Sequence, residues 1–278
     1  MYKGEQHIVR GGFKEALERF GCIQENTLRF GWNNLSAGAL VTKDQKKFWL
    51  RVQYAPSETV IEDKKWRGFI DAEELKDIPK PKLTEKIDWK REEVSFRGLL
   101  FEYIAEKTAS ETPLPSERFN PDKGYLTAVR TCLETLATYK TNRVCVRPEL
   151  LQRKLKDHFN IEGISLKEKE WCTIHGDIHW GNITYPNLYV LDWEAWGTGP
   201  RAYDPALLLT LSLNNQVLSS ALEETFSDIL STKEGYLTQL FVCAEILEMI
   251  QRDPIYKVLN ESLKQRISLL LKKLSVYS

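Results

Sequence analysis

Three side chains in residues 171–194, WCTIHGDIHWGNITYPNLYVLDWE, have types and a spacing suited to one metal-phosphate centre. Asp177 is followed by Asn182 and then, after two short apolar runs, by Asp192. Carboxylate and amide oxygens suit Mg²⁺, which binds few protein groups and completes its octahedral shell with phosphate oxygens and water. In-line phosphoryl transfer needs such a metal and a carboxylate that orients the attacking hydroxyl. The pattern therefore favours a phosphotransferase.

A β-hairpin is predicted between the second and third of these residues. The apolar runs 183–185 and 188–191 are separated by Pro186-Asn187, a pair typical of tight turns because proline fixes φ and asparagine tolerates unusual dihedral angles. Pairing about this turn places Ile183 opposite Val190 and brings Asn182 within one residue of Asp192. The earlier carboxylate, on the preceding loop, then lies beside the metal and can accept a proton from a substrate hydroxyl.

The segments HGDIHWGN and LDWE resemble the catalytic loop and the metal-binding segment of the aminoglycoside phosphotransferase and choline kinase superfamily, whose fold is similar to that of protein kinases. The resemblance implies that Asp177 is the catalytic base and that Asn182 and Asp192 are the magnesium ligands. It also implies ATP or GTP as the phosphoryl donor. His175 matches the histidine that braces the loop and is not expected to be the base. Chance co-occurrence and a catalytically inactive relative are the alternatives.

Composition is that of an ordinary globular protein. The chain has 278 residues, of which 42% are hydrophobic and 28% charged, so it can bury one large core or two smaller ones. Its 39 basic and 39 acidic residues cancel, which disfavours nucleic acid as a partner. Five widely spaced cysteines without a CxxC pair indicate reduced thiols rather than zinc or disulfides.

Targeting signals are not apparent in the sequence. The first residues contain no apolar stretch of signal-peptide length, and no apolar run approaches membrane-spanning length. We therefore expect a cytoplasmic protein that does not associate with membranes. The oligomeric state stays open.

The pattern changes character near residue 106, which predicts an α+β, bilobal protein kinase-like fold. Residues 1–105 are expected to form a small antiparallel-sheet lobe that binds the nucleotide, and residues 106–278 a larger, mostly helical lobe. Strands are predicted at 27–30, 39–42, 47–53, 83–89 and 94–104, where β-branched and aromatic residues concentrate. One main helix is predicted at 57–76 with Ser57 as its cap, and a short amphipathic helix ends at Gly21.

Helical periodicity dominates the second half of the chain. Apolar residues recur at helical spacing over 126–136, 150–155, 237–250 and 259–274. Residues 107–123, with three prolines, are expected to be irregular. Asp204 before Pro205 has the form of an N-cap for a helix at 206–213. In the superfamily a corresponding aspartate braces the catalytic loop, and the two roles can coexist.

Nucleotide-binding residues follow only from the resemblance. Residues 31–38, which include Asn34, resemble the family's nucleotide-covering loop. The same residues would also fit an ordinary connection between two strands. Arg51 occupies the place where protein kinases carry a phosphate-contacting lysine, and its fork could grip two phosphate oxygens. Strand alternation puts Arg51 on the face opposite Leu50, which leaves solvent as the alternative to the nucleotide.

Two further assignments depend on the same resemblance. The carboxylate that orients the phosphate-contacting arginine is expected on the main helix, with Glu62 preferred and Glu58 the rival one turn earlier. The main chain of Glu102 and Ile104, in the strand that joins the lobes, is expected to pair with the base edge.

The acceptor is not readable from the sequence. His179, Trp180, Trp193 and Trp196 could form an aromatic pocket for a cationic amine, or the tryptophans could be core residues. Acidic residues in the later helices suit a polycationic sugar or form a solvated face. Glu194 could support the metal through water or be solvated. Aminoglycosides, amino alcohols, sugars and nucleosides all fit; a protein kinase and a nucleotide-binding pseudoenzyme are the rival classes.

Overall fold

The computed structural model describes residues 5–58, 64–164 and 166–277. It divides into two compact units, one formed by Met1–Glu74 with Lys80–Ala105 and the other by Leu75–Pro79 with Glu106–Ser278. The segment Leu75–Pro79 thus belongs to the second unit although its neighbours along the chain on both sides belong to the first.

The first unit is built on an antiparallel sheet of six strands in its described part, in the order β1-β3-β4-β6-β5 with β2 paired to β3. The strands are β1 (Ile23–Gln24), β2 (Arg29–Phe30), β3 (Ser36–Lys43), β4 (Lys46–Pro56), β5 (Leu83–Arg91) and β6 (Val94–Glu102). Each of the five predicted strands overlaps one of these.

Helix α1 (Gln6–Phe20) covers one face of this sheet. Val9, Phe13 and Phe20 recur on one side of the helix and are buried against the sheet residues Leu50 and Val52. The helix ends at Gly21, as predicted, where φ is 64°. A left-handed conformation costs glycine little, so the residue terminates the helix.

Helix α2 is described over Lys64–Asp71, inside the helix predicted at 57–76, and it continues as a 3₁₀ turn, Ala72–Glu74. Ser57 is not a helix cap, because its main-chain N–H donates to Glu93 O at 2.8 Å and its hydroxyl lies 2.9 Å from the hydroxyl of Ser95. Sheet-edge bonds therefore hold this residue in the extension of β4. Residues 59–63 lie outside the described residues.

The second unit contains two small sheets and a set of helices. Strand β7 (Lys107–Thr108) pairs with β9 (Thr184–Tyr185), and β8 (Trp171–Ile174) pairs with β10 (Gly197–Pro200). The helices are α3 (Lys123–Thr138), α4 (Pro148–Phe159), α5 (Tyr203–Leu211), α6 (Gln216–Thr225), α7 (Ser227–Leu230), α8 (Lys233–Arg252) and α9 (Asn260–Leu274).

Helix α8 is the centre of the second unit's core. Its residues 240–244 are fully buried in succession, so neighbouring elements surround the helix on all sides. It begins at a threonine cap, where Thr232 Oγ1 accepts the N–H of Gly235 at 2.9 Å. Helices α6 and α7 were not predicted, because each is short and buries few apolar residues.

The antiparallel sheet of the first unit and the mostly helical second unit agree with the predicted α+β class. No helix within the described ranges combines the length and the apolar character that a membrane crossing requires. All five cysteines lie within those ranges as free thiols.

Candidate active site

The predicted hairpin is present with the predicted register. Ile183 forms an antiparallel bridge with Val190, and Leu191 N–H donates to Asn182 O at 2.7 Å. Asn182 and Asp192 therefore lie at the open end of the hairpin. Residues 184–185 form strand β9, which pairs with β7, and Thr184 N–H also donates to Tyr189 O of the returning segment at 3.0 Å.

The turn of this hairpin is held by a side chain. Thr184 Oγ1 donates to Asn187 O at 2.5 Å and accepts the N–H of Tyr189 at 2.8 Å. The Tyr185-Pro186 peptide is cis. These threonine side-chain bonds add to the main-chain bonds of the hairpin and fix its turn.

Asp177 and Asn182 are in direct contact. Asn182 Nδ2 donates to the main-chain O of Asp177 at 3.0 Å and lies 3.5 Å from its carboxylate Oδ2. Since both neighbouring groups are acceptors, the amide must turn its nitrogen toward them, and its oxygen is then directed elsewhere. The Asp177 side chain is exposed, whereas Asn182 is buried. A solvent-accessible carboxylate thus stands beside a fixed amide oxygen.

His175 joins the loop to the hairpin. Its Nε2 lies 2.9 Å from Leu191 O, which can only accept, so the ring proton is on Nε2. Its Nδ1 accepts the N–H of Asp177 at 3.3 Å. Burial lowers the pKa of His175 to about 4, against the nearby charge of Asp192, which raises it. A neutral imidazole with both nitrogens engaged by main chain can brace the loop but cannot serve as the base.

Asp204 holds the start of the same loop. Its Oδ2 accepts the N–H of His175 at 2.7 Å and its Oδ1 that of Gly176 at 2.9 Å. Burial raises the pKa of Asp204 to about 6, although these two bonds lower it. The predicted N-cap role is wrong: α5 begins at Tyr203 with Ala202 as its cap residue, so Asp204 lies in the first helical turn. Its carboxylate reaches back to the loop instead of capping the helix.

The tryptophans near the loop are core residues. Trp180, Trp193 and Trp196 are 0%, 3% and 0% exposed. Trp180 Nε1 donates to Ser212 Oγ at 2.8 Å, and Trp193 Nε1 donates to Val190 O at 2.9 Å. An aromatic pocket for a cationic amine is therefore not supported at these residues. A serine hydroxyl and a main-chain carbonyl supply the partners that these buried indole N–H groups require.

Many acidic side chains of the later helices are paired. Ion pairs join Glu223 with Arg266, Glu224 with Lys123, Asp228 with Arg130 and Glu248 with Lys154. This pairing weakens the interpretation of these helices as a surface for a polycationic sugar.

Arg51 lies on the sheet face opposite α1. It pairs in the sheet with Gly38 and Leu99, and its guanidinium carbon is 4.7 Å from the ring centroid of Phe69 on α2. The arginine is therefore partly buried beneath α2 and is not a solvated strand residue. Glu62, its predicted partner, lies outside the described residues, and Glu58 is exposed in a turn.

The other predicted nucleotide contacts also lie in the first unit. Asn34 has a positive φ of 58°, and its Oδ1 accepts Nε2 of Gln6 at 3.3 Å. Glu102 N–H donates to Lys82 O at 2.9 Å, so only its carbonyl could pair with a base edge. Ile104 follows the end of β6 and is partly buried. These assignments stay predictions.

Sequence reasoning missed one residue that contacts the segment after Asp192. Arg143 donates from Nη2 to Glu194 O and from Nε to Trp196 O, each at 3.0 Å. It lies between α3 and α4, in a stretch without any motif, so no local signal pointed to it.

The fold and the geometry of this site fit a phosphotransferase of kinase-like fold that acts on an alcohol group. The family model APH, described as the phosphotransferase enzyme family, matches residues 119–229, the segment that holds the catalytic loop and the hairpin. This match confirms the resemblance to the aminoglycoside phosphotransferase and choline kinase superfamily. A search of curated protein sequences finds no match.

Solved structures with the same fold include three aminoglycoside phosphotransferases. A thermostable mutant of APH(4)-Ia, solved with AMP-PNP and hygromycin B, has a TM-score of 0.60 and 11% identity over 94% of this chain and 97% of that chain. Spectinomycin phosphotransferase APH(9)-Ia, solved with ADP and its antibiotic, has a TM-score of 0.57 and 11% identity over 95% and 97%. APH(3'')-Id from Streptomyces rimosus has a TM-score of 0.55 and 13% identity over 85% and 97%. At these identities the likeness shows the fold.

Proposed function

We propose that this protein transfers the γ-phosphoryl group of ATP or GTP to a hydroxyl of a small molecule, with Asp177 as the catalytic base. The observation that carries the proposal is the placement of Asp177: its carboxylate is exposed, while its main-chain carbonyl and N–H are held by Asn182 and His175. A carboxylate that is accessible but fixed can orient a hydroxyl and take its proton during transfer.

Mg²⁺ is the metal that fits this site. The end of the hairpin offers two hard oxygen donors, the carboxylate of Asp192 and the amide oxygen of Asn182. The described part of the chain contains no cluster of three or more His, Cys, Asp or Glu side chains suited to a metal. Mg²⁺ is commonly held by one or two carboxylates together with substrate phosphates rather than by an all-protein cage. When bound, it would neutralise charge on the phosphates.

The nucleotide assignment rests on the first unit. Arg51 is the candidate phosphate contact, with Asn34 in the covering loop and the main chain of Glu102 and Ile104 beside the base. Neighbouring structures contain ADP or AMP-PNP, which favours a nucleoside triphosphate as donor. We place the protein in the cytoplasm, where both ATP and GTP are available.

The acceptor we propose is a small hydroxylated molecule such as an aminoglycoside, amino alcohol or sugar. Spectinomycin and hygromycin B are present in neighbouring structures. A peptide acceptor is disfavoured because β10 (Gly197–Pro200) and then α5, from Tyr203, follow closely after Glu194, which leaves little chain for a peptide platform.

The test is a screen for ADP or GDP release with a panel of aminoglycosides, amino alcohols, sugars and nucleosides, with and without Mg²⁺. The active acceptor is then assayed with Asp177→Asn, which should lower turnover by about 10²-fold or more, within the range for a positioned base, while nucleotide affinity stays near that of the wild type. Near-normal turnover of this variant would refute the assigned role. Nucleotide binding without transfer to any acceptor would favour a pseudoenzyme.

A further inference from the structure

The segment that follows Asp192 has little regular structure of its own. Asp192 adopts a left-handed conformation with φ of 61°, and residues 193–195 form a turn and bend before β10 begins at Gly197. On its N-terminal side, the hairpin bond from Leu191 to Asn182 and the imidazole of His175 fix the chain. A second anchor is needed on the C-terminal side if the carboxylate is to keep one position.

The side chain of Arg143 supplies that anchor. Its Nε donates to Trp196 O and its Nη2 to Glu194 O, both at 3.0 Å. The guanidinium carbon also lies 4.9 Å from the ring centroid of Trp196, which is fully buried. One planar fork thus holds the carbonyls of Glu194 and Trp196 and lies over the Trp196 ring.

The main chain of Arg143 is itself fixed to β10. Its carbonyl accepts the N–H of Thr198 at 2.8 Å and the hydroxyl of Thr198 at 3.1 Å. Gly197 packs against the same peptide, because a Cβ there would lie 2.9 Å from Arg143 C and 2.8 Å from Cys145 N. Only glycine permits this approach, so the arginine has a defined position from which its side chain acts.

We propose that Arg143 is a positioning residue for Asp192: it holds the carbonyls of residues 194 and 196 and thereby sets where the metal-binding carboxylate points. The inference rests on the proposed function, since it concerns the Mg²⁺ site. Lysine cannot replace the arginine here, because a single ammonium group has no planar fork to reach two carbonyls while stacking on an indole ring.

The experiment is a calorimetric titration of AMP-PNP into wild type and Arg143→Lys at several Mg²⁺ concentrations. Residues outside the direct ligand set commonly change metal affinity by about 10–100-fold, so the Mg²⁺ concentration that half-maximally tightens nucleotide binding should rise by about tenfold or more. Nucleotide affinity without Mg²⁺ should equal that of the wild type, because Arg143 does not act on the nucleotide.

Arg130→Lys is the matched control. Arg130, on α3 of the same unit, also donates to a main-chain carbonyl, that of Thr225, and pairs with Asp228. This variant should lower the unfolding temperature and leave the Mg²⁺ dependence unchanged. If Arg143→Lys does not fold, Arg143→Gln, which keeps one amide group as a donor, is titrated instead. Its Mg²⁺ dependence should be shifted in the same direction.

Two results would overturn the inference, and they differ in what else they remove. A folded Arg143 variant with the wild-type Mg²⁺ dependence overturns the positioning role alone. Absence of any Mg²⁺ effect in the wild type overturns the metal site, and with it both this inference and the magnesium part of the proposed function.

Discussion

Replacing Gly176 with alanine should destabilise the second unit more than an ordinary glycine replacement would. Gly176 has a φ of 79°, and an added Cβ would lie 2.2 Å from the Sγ atom of Cys145. The left-handed conformation costs alanine about 1–2 kcal/mol. Relieving so short a contact requires a shift of the cysteine or of the loop, at a cost of about 1–3 kcal/mol. Together these lower the free energy of unfolding by about 2–5 kcal/mol.

Gly163 provides the control for backbone strain. Its φ is 68°, and no heavy atom lies within 4 Å of an added Cβ. Gly163→Ala should therefore show the conformational cost alone, about 1–2 kcal/mol. Urea unfolding of the two variants measures the difference directly.

The steric part can be isolated with Cys145→Ala. In the double variant the sulfur atom is gone, so the excess destabilisation of Gly176→Ala over Gly163→Ala should largely disappear. Turnover should fall in Gly176→Ala even while the protein is folded, because Gly176 precedes Asp177 and donates to Asp204. Equal destabilisation of the two alanine variants within about 0.5 kcal/mol, the usual limit of additivity, would refute the reasoning.

Three further predictions concern the loop and the hairpin. Asp192→Ala should abolish the Mg²⁺-dependent tightening of ATP binding. Asn182→Ala loses only a neutral ligand, so excess Mg²⁺ should partly rescue it. Unchanged metal dependence in calorimetry of Asp192→Ala would contradict the hairpin site. Burial lowers the pKa of His175 to about 4. The neutral ring therefore contributes to the free energy of unfolding above pH 6.5, and this contribution is lost as the pH falls toward 4. At about 1.4 kcal/mol per unit of pKa, this amounts to about 3.5 kcal/mol. Urea unfolding from pH 7 to 4 should be less pH-dependent in His175→Asn by that order. Trp180→Phe removes the bond to Ser212 and should lower the free energy of unfolding by about 1 kcal/mol, measured by thermal unfolding. The KM for the acceptor should not change, because the indole is fully buried. A large change in this KM would restore the aromatic-pocket interpretation.

Local signals in the sequence were sufficient for the hairpin and for most helices and strands. The register of Ile183 with Val190 follows from two apolar runs about one turn, and the end of α1 follows from Gly21. Such features depend on residues within a few positions of one another, so periodicity and turn chemistry encode them directly. The cap predicted at Ser57 was wrong, because this residue bonds to Glu93 and Ser95, which are distant in sequence.

The sequence by itself determined the candidate residues for the proposed chemistry, namely Asp177, Asn182 and Asp192, and the hairpin that relates the last two. Only the tertiary structure decided what holds them. The carboxylate of Asp204 reaches the loop from α5, and Arg143 reaches the segment after Asp192 from a stretch without a motif. Each of these contacts joins residues far apart in the chain, and it forms only when packing brings two separately encoded elements together. Burial likewise sets the neutral state of His175, because the cost of desolvating a charge depends on everything packed around the ring.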